Sequence, residues 1–472
     1  MDRKDIFCEI VKCECDKKFI NIKRIIMNSK EVEKDDLFLA IRGGNKFTEE
    51  ALEKGAYVVY DDKDIQIEEK FKEKVFYVND SVEFLQEFAE KWRKNLNLKV
   101  IGITGSNGKT TVKDMIHHLL SVKYKGKKTE GNYNNHIGLP FTLLRAEKGD
   151  DFIILEMGMS GFGEIDLLGK ISSPDISVIT NIGESHLEFL KTKKNVFKAK
   201  TEIIPHTKET LVINGDDEYL KDIDENSLKE KGLKTVKILN MGNNKNYMEN
   251  IEKSVESNND FYYGNIDFNE VETKFTLEYF DENCKKWTHK FYNTNVLGEH
   301  NILNLTIAVS VAKEMALGDE EIEKAVKDIV LTNMRFQIIT KGKTTYINDA
   351  YNASPMSMKK SLETFSKIYN DREKIAVIGD MLELGEQEGE LHASIFDVII
   401  NTNLNRLYLY GPRMRFLYDR IRENSNNENI KKIETEYFES KEQIKEKLEG
   451  IKEEKVVLIK ASRGMKLEEV ME

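Results

Sequence analysis

From Thr104 to Thr111 the chain reads TGSNGKTT, a run whose residue types suit the binding of a phosphate chain. Gly105 and Gly108 let the backbone turn tightly, so that the N–H groups around Ser106 and Asn107 can face an anion. A helix beginning here would add the partial positive charge of its N-terminus, and Lys109 adds a full one. Thr110, with Thr111 beside it, offers a hydroxyl to a Mg²⁺ ion, while Lys109 would reach the β- and γ-phosphates. The general G-x-x-x-x-G-K-[ST] pattern asks for a first glycine where this chain has Ile103, but its GxxGKT core is intact. The plainer alternative is a glycine turn with a chance lysine. Nucleotide binding is the working premise.

The flanking elements are the ones such a loop needs. Val100 to Ile103 is a short apolar run suited to a buried parallel strand. Val112, Met115, Ile116, Leu119 and Leu120 recur at helical spacing, with Lys113, Asp114 and His117 turned away from that apolar face. Further strands alternate with helical patterns, as in a parallel sheet with crossovers: FIILEMG ending at Glu156, SVITNIG followed by His186, and LVINGDD with Asp216. Ligands collect at the carboxyl ends of such strands, where Glu156, His186 and Asp216 would project. A carboxylate ending a buried strand is costly unless paired, which motivates a cation beside Glu156. His186 is open to either a structural or a site role. His300 and Asn301 open a later helix, where they could meet a ligand or simply cap it.

Three domains are expected, at residues 1–94, 95–330 and 331–472. The first is a small α/β domain with strands LFLAI and YVVY around a helix closed by Gly55, and a second helix at Val82–Trp92. Nothing in it looks catalytic, so it either holds substrate or is purely structural. Lys245–Glu270 reads as a polar excursion, followed by an alternating strand from Val271 to Tyr279 with KWTHKFYNTNV as its antiparallel partner. The last domain has strands TYIND, KIAVIGD, RLYLYG and VVLIKASRG, and helices at Ser357–Ile368 and Lys441–Leu448. Asp349 and Asp380 end two of these strands much as Glu156 does.

The 472 residues carry a formal net charge of −11, which argues against a nucleic-acid surface. No apolar run approaches membrane-spanning length, and the N-terminus lacks the apolar core of a signal peptide. A cytoplasmic protein is expected. Cys8, Cys13, Cys15 and Cys284 are then expected to be inert thiols, since the C-x-C pair lacks the second half of a zinc site.

With these residues in view the chain resembles the Mur ligase family. The resemblance rests on TGSNGKT, EGNYNNHIGLP, LEMGMSGFGEI, ITNIGESHLEFL, the FKAKTEI run, GEHNILN and the arginine of NMRFQII. It implies an α/β, three-domain architecture: a small N-terminal α/β domain holding a UDP-sugar, a central P-loop-type parallel sheet binding ATP, and a C-terminal Rossmann-like α/β domain closing over the nucleotide. NDAYNASPMSM and VIGDMLELGEQE resemble the branch that adds D-alanyl-D-alanine to UDP-N-acetylmuramoyl-tripeptide in cytoplasmic peptidoglycan precursor synthesis. By resemblance, Lys109 and Thr110 are the phosphate lysine and the Mg²⁺ hydroxyl, and Glu156 and His186 belong to the magnesium shell. Lys200 aligns with a lysine that is carbamylated in related ligases and helps hold a second Mg²⁺; Lys198 is the alternative in the same run. Asn301 resembles an adenine-side asparagine, and Arg335 and Asp349 resemble residues that meet the nucleotide from the C-terminal domain. Asn135 and Asn352 fall to the substrate side, Asn352 near the incoming dipeptide. The resemblance also implies ATP and Mg²⁺ as cofactors and a monomer. The N-terminus departs from the family pattern: Asn28-Ser29-Lys30 stands where an aspartate-serine-arginine run is usual, and GGNKFTEEAL is a shortened glycine-rich stretch. No residue is therefore assigned to uridine.

The parts match a chemical need. A carboxylate is a poor electrophile at neutral pH, and phosphorylation by ATP turns it into an acyl phosphate that an amine can attack. Bringing anionic reactants and the γ-phosphate together demands the positive charge of Lys109, the loop amides, Mg²⁺ and Arg335. Lys109, His186, Lys200 and Arg335 are accordingly the expected catalytic group. The alternatives are another Mur-type ligase such as folylpolyglutamate synthase, a phosphotransferase built on the same loop, and a non-catalytic nucleotide-binding module.

Overall fold

The computed structural model describes residues 2–12, 22–242, 259–281 and 284–472. The chain is α/β, with three sheets among the described residues. The first is parallel, in the order β1 (Ile25–Ile26), β2 (Leu37–Leu39), β3 (Tyr57–Tyr60) and β4 (Val75–Tyr77). The second contains β5 (Lys99–Thr104), β6 (Gly126–Lys128), β7 (Phe152–Glu156), β8 (Ile176–Ile179), β9 (Thr210–Asn214), β10 (Lys234–Gly242), β11 (Phe261–Phe268), β12 (Thr273–Asp281) and β13 (Lys286–Thr294), in the order 13-12-11-10-9-8-5-7-6. The third has β14 (Gln337–Lys341), β15 (Thr344–Asn348), β16 (Glu373–Gly379), β17 (Arg406–Tyr410), β18 (Glu434–Phe438) and β19 (Lys455–Lys460), in the order 14-15-19-16-17-18. Only β14 runs antiparallel to its neighbour there.

The third sheet shows why its strands read as continuous apolar runs. Ile347, Ala376, Ile378, Leu407, Leu409, Val456 and Leu458 enter one core, while Ile375, Val377, Tyr408, Val457 and Ile459 enter another. Alternate residues point to opposite faces and both faces are covered, so polar alternation has no place.

By compactness the chain divides into two units. One comprises residues 1–104, 124–177 and 202–210, and the other 105–123, 178–201 and 211–472. In the first unit β5 pairs in parallel with β7, with Ile103 opposite Glu156. In the second, the helix Lys109–Leu120 packs against Glu299–Glu314.

Several local expectations are revised. Residues 261–268, placed in the polar excursion, form a strand between β10 and β12, because Phe261, Tyr262 and Tyr263 are buried. Residues 243–258 of that excursion lie outside the described residues. Lys113 and Asp114 are buried rather than on a solvated face. Asp114 accepts hydrogen bonds from the amide and hydroxyl of Thr332, at 2.9 and 2.5 Å, so tertiary contacts cover a helix face whose sequence is polar. Cys8 is disulfide-bonded, against the expectation of inert thiols. A preference of the cellular compartment does not govern the geometry of a single cysteine pair. Cys284 is free and exposed, and Cys13 and Cys15 lie outside the described residues.

Candidate active site

The loop between β5 and the helix Lys109–Leu120 is pinned from behind by the segment after β8. Ser106 N donates to Asn181 O at 3.0 Å and Asn107 N to Asn181 Oδ1 at 2.9 Å. Thr180 Oγ1 and Asn181 Nδ2 both donate back to Asn107 O, at 2.5 and 3.0 Å. The glycines answer two constraints at once. Gly105 has φ +147° and a Cβ there would lie 1.9 Å from Thr180 Oγ1; Gly108 has φ +82° and its Cβ would lie 2.8 Å from Asn304 Oδ1. Any side chain at either position would push the loop off its support. Lys109 arches back so that its Nζ donates to Gly105 O at 2.7 Å, poised over the loop. Thr110 and Thr111 are buried in the first helical turn.

The C-terminal part of the same unit reaches this loop. Ser354, the N-cap of the helix Pro355–Lys367, donates its hydroxyl to Asn107 Oδ1 at 2.9 Å. Asn301 and Arg335 share a cavity of about 270 Å³, together with Asn295, Leu297 and Thr332. Arg335 stacks its guanidinium 4.0 Å from the ring centroid of Tyr351, and its shielded Nε finds no acceptor among the described residues. Its neighbours Met334 and Phe336 have φ of +64° and +54°, a left-handed backbone that bulky residues adopt only under constraint. Asn301 and His300 lie within the first turn of the helix Glu299–Glu314, whose N-cap is Gly298, so neither serves as a cap. Burial presses the His300 imidazole down to about 4, with Asp349 opposing that effect.

Lys200 is fully buried and Lys198 exposed. Burial, reinforced by the nearby positive charge of Lys109, drives the Lys200 ammonium well below the usual lysine range, which favours the neutral amine. His186 has φ +54° and opens the short helix Leu187–Leu190. Its Nδ1 lies 2.8 Å from Glu383 Oε2, an ion-pair distance without hydrogen-bond alignment. His186, with Lys109 adding to it, holds the Glu383 carboxyl below its ordinary value.

Asp349 is the centre of a hub. Its Oδ2 accepts from Lys460 Nζ at 2.7 Å and from Ser361 Oγ at 2.5 Å, and its Oδ1 accepts from Phe336 N at 3.2 Å. Lys460 also donates to Asn352 O at 3.2 Å, which joins Asp349 to the exposed Asn352 loop. Asp216 and Asp380 do local work instead: Asp216 accepts from Asn240 N at 2.7 Å, and Asp380 from the amides of Arg413 and Met414 at 3.0 and 2.9 Å.

In the other unit Glu156 is buried at the carboxyl end of β7, where its amide donates to Thr129 Oγ1 at 2.9 Å. Its Oε1 accepts from Asn134 Nδ2 at 3.1 Å. Asn135 uses its side chain locally, accepting from the amides of Ile137 and Gly138 at 3.1 and 2.9 Å. Sequence reasoning did not single out Asn134, Asn304, Tyr351, Glu383 or Lys460. EGNYNNHIGLP, GEHNILN, NDAYNASPMSM, VIGDMLELGEQE and VVLIKASRG held all five in plain view, but no spacing rule marks which residue of such a run meets a partner far along the chain.

Known proteins resemble this chain over most of its length. The family model of the Mur ligase middle domain matches residues 103–312, and that of the Mur ligase glutamate ligase domain matches 334–463. A UDP-N-acetylmuramoyl-tripeptide--D-alanyl-D-alanine ligase of Bacillus subtilis (strain 168) is 34% identical over 457 residues, covering 95% of this chain and 92% of the relative. Among solved structures, MurF ligase from Thermotoga maritima in complex with ADP is similar with a TM-score of 0.78 and 28% identity, covering 96% of this chain and 97% of that one. MurF from Acinetobacter baumannii shares the fold with a TM-score of 0.80 at 24% identity, covering 99% of this chain and 97% of that one.

Proposed function

The chain belongs to the Mur ligase family, and we propose that the residues described above carry that family's ATP-driven amide synthesis in this protein. It is an ATP-dependent ligase that joins D-alanyl-D-alanine to UDP-N-acetylmuramoyl-tripeptide in peptidoglycan synthesis. The observation that carries the assignment of residues is the meeting of the phosphate loop with C-terminal side chains: Ser354 bonds to Asn107, and Arg335 shares a cavity with Asn301.

In the proposed sequence, the terminal carboxylate of the tripeptide attacks the γ-phosphorus of ATP and ADP leaves. The amine of D-alanyl-D-alanine then attacks the acyl phosphate carbonyl, and inorganic phosphate departs as the amide forms. Lys109 and the loop amides offset the charge on the β- and γ-phosphates. Asn301 holds the adenine side. Arg335, whose Nε has no acceptor among the described residues, supplies positive charge to the nucleotide from the C-terminal side. Asn135 and Asn352 are assigned to the peptide substrates, and Asp349 to the nucleotide through the backbone it orders.

Among the described residues no three His, Cys, Asp or Glu side chains gather into a metal cage. The donors fit Mg²⁺ in another way, since this ion retains waters and takes phosphate oxygens alongside one or two carboxylates. Thr110, His186 and a carbamylated Lys200, all of one unit, would hold it, and when bound it neutralises phosphate charge. The buried Lys200 suits carbamylation because the neutral amine, which its surroundings favour, is the form that attacks CO₂. No helix among the described residues is long and apolar enough to cross a membrane; monomeric action in the cytoplasm completes the proposal.

The test is incubation with ATP, Mg²⁺, each UDP-muramoyl peptide in turn and D-alanyl-D-alanine, followed by weighing the products. A product heavier by the dipeptide less one water, formed from the tripeptide substrate with stoichiometric ADP, is expected. A stably phosphorylated product formed without the amine would replace the ligase by a phosphotransferase.

A further inference from the structure

His186 belongs to the proposed phosphate site, but its own element leaves its ring poorly held. It opens a helix of only four residues, Leu187–Leu190, from a left-handed backbone, and makes no capping hydrogen bond there. What faces its Nδ1 comes from nearly two hundred residues further along the chain. Glu383 Oε2 lies 2.8 Å away, on the segment that follows β16.

That segment is seated on the short helix by its backbone as well. Glu188 N approaches Glu383 O at 3.4 Å. Glu383 and Gly385 both have φ of +64°. A Cβ on Gly385 would come within 2.9 Å of Glu188 Cα and 3.1 Å of Glu188 N, so a glycine is required for the segment to lie this close. Two left-handed residues and one forced close approach therefore deliver a single carboxylate to a single ring nitrogen.

We propose that Glu383 is a positioning residue for this ligase: seated against the helix Leu187–Leu190, its carboxylate takes the Nδ1 proton of His186 as a hydrogen bond and turns Nε2 toward the phosphate site. The proposal rests on the ligase reading for what His186 does, but not for how the ring is held. An imidazole with a carboxylate on one nitrogen has a fixed tautomer and a fixed ring orientation, the arrangement by which outer residues position a histidine. The 2.8 Å contact is short enough and lacks only alignment, a feature common in ligand-free sites whose hydrogen bonds tighten on binding. Because Glu383 arrives with the C-terminal sheet, the histidine is oriented only when that sheet is seated.

Two measurements on the full-length protein test this. The first is the ¹⁵N-histidine long-range spectrum of the protein without nucleotide or metal, with His186 assigned by His186→Gln. Wild type is expected to show the tautomer protonated at Nδ1, and Glu383→Ala to shift His186 toward protonation at Nε2. The second is steady-state ligase kinetics beside direct ATP titration. Glu383→Ala should lower kcat roughly 10- to 100-fold with ATP affinity within about threefold, and Glu383→Gln, which keeps an acceptor, should recover most of the loss. An unchanged His186 spectrum in Glu383→Ala, or turnover of that variant within twofold of wild type, overturns the proposal. Failure of the wild-type protein to ligate would strike the ligase reading instead, and the spectrum would still decide what Glu383 does to His186.

Discussion

Lys460 Nζ lies 2.7 Å from Asp349 Oδ2, and the two side chains are 3% and 14% exposed. This ion pair ties β19 to the end of β15, and the same ammonium holds the Asn352 carbonyl. Lys460→Met keeps most of the side chain's volume while stranding the carboxylate. Breaking one partner of a buried pair costs about 3–5 kcal/mol, and urea denaturation should read a loss of that order. A loss below about 1 kcal/mol would show that Ser361 and the Phe336 amide satisfy Asp349 by themselves.

Lys109 has no substitute in the phosphate loop. Its Nζ lies over the loop, donating to the Gly105 carbonyl at 2.7 Å, and Lys109→Ala should lower turnover by about 10² or more. Near-normal turnover with normal ATP binding would remove the loop from the mechanism.

Lys200 and Lys198 separate cleanly. Lys200→Ala should be inactive and partly rescued by a small added carboxylate, which can stand in for a carbamate. Lys198→Ala, at an exposed position, should keep turnover within about twofold, as surface changes usually do. Full activity in Lys200→Ala, or the opposite ranking of the two variants, would refute the assignment.

Arg335 is expected to act on the reacting phosphates more than on resting nucleotide. Arg335→Ala should lower turnover by about 10² or more, with a much smaller change in ATP affinity by direct titration. If turnover is unchanged, or if ATP binding weakens by the same factor, charge delivered by the C-terminal segment is not part of catalysis.

His300 gives a pH signature. Its folded pKa of about 4 lies below the ordinary 6.5, so the unfolded chain binds its proton more readily. The stability from keeping His300 neutral is complete above pH 6.5 and falls as the pH drops toward 4, by roughly 3 kcal/mol in all. His300→Asn should flatten that part of the stability curve, as measured by urea denaturation at several pH values. An unchanged slope would assign the acid sensitivity to other groups.

Local order was legible in the sequence by itself. The strand, glycine loop and amphipathic helix around Lys109 follow from short-range rules of turn and period, and so do the apolar strands of the C-terminal sheet. Family membership was legible for the same reason: its motifs are contiguous runs. The strand at residues 261–268 was not, because its polar residues conceal three aromatics that only neighbouring strands bury. Tertiary structure alone separated Lys200 from Lys198, since two residues turn through about 200° on a helix and only packing says which side faces inward. It also joined Asn301 to Arg335 in one cavity, Lys460 to Asp349, and Glu383 to His186. Each of these is a meeting of side chains from separate elements, set by how sheets and helices pack, and no rule of spacing along the chain encodes it.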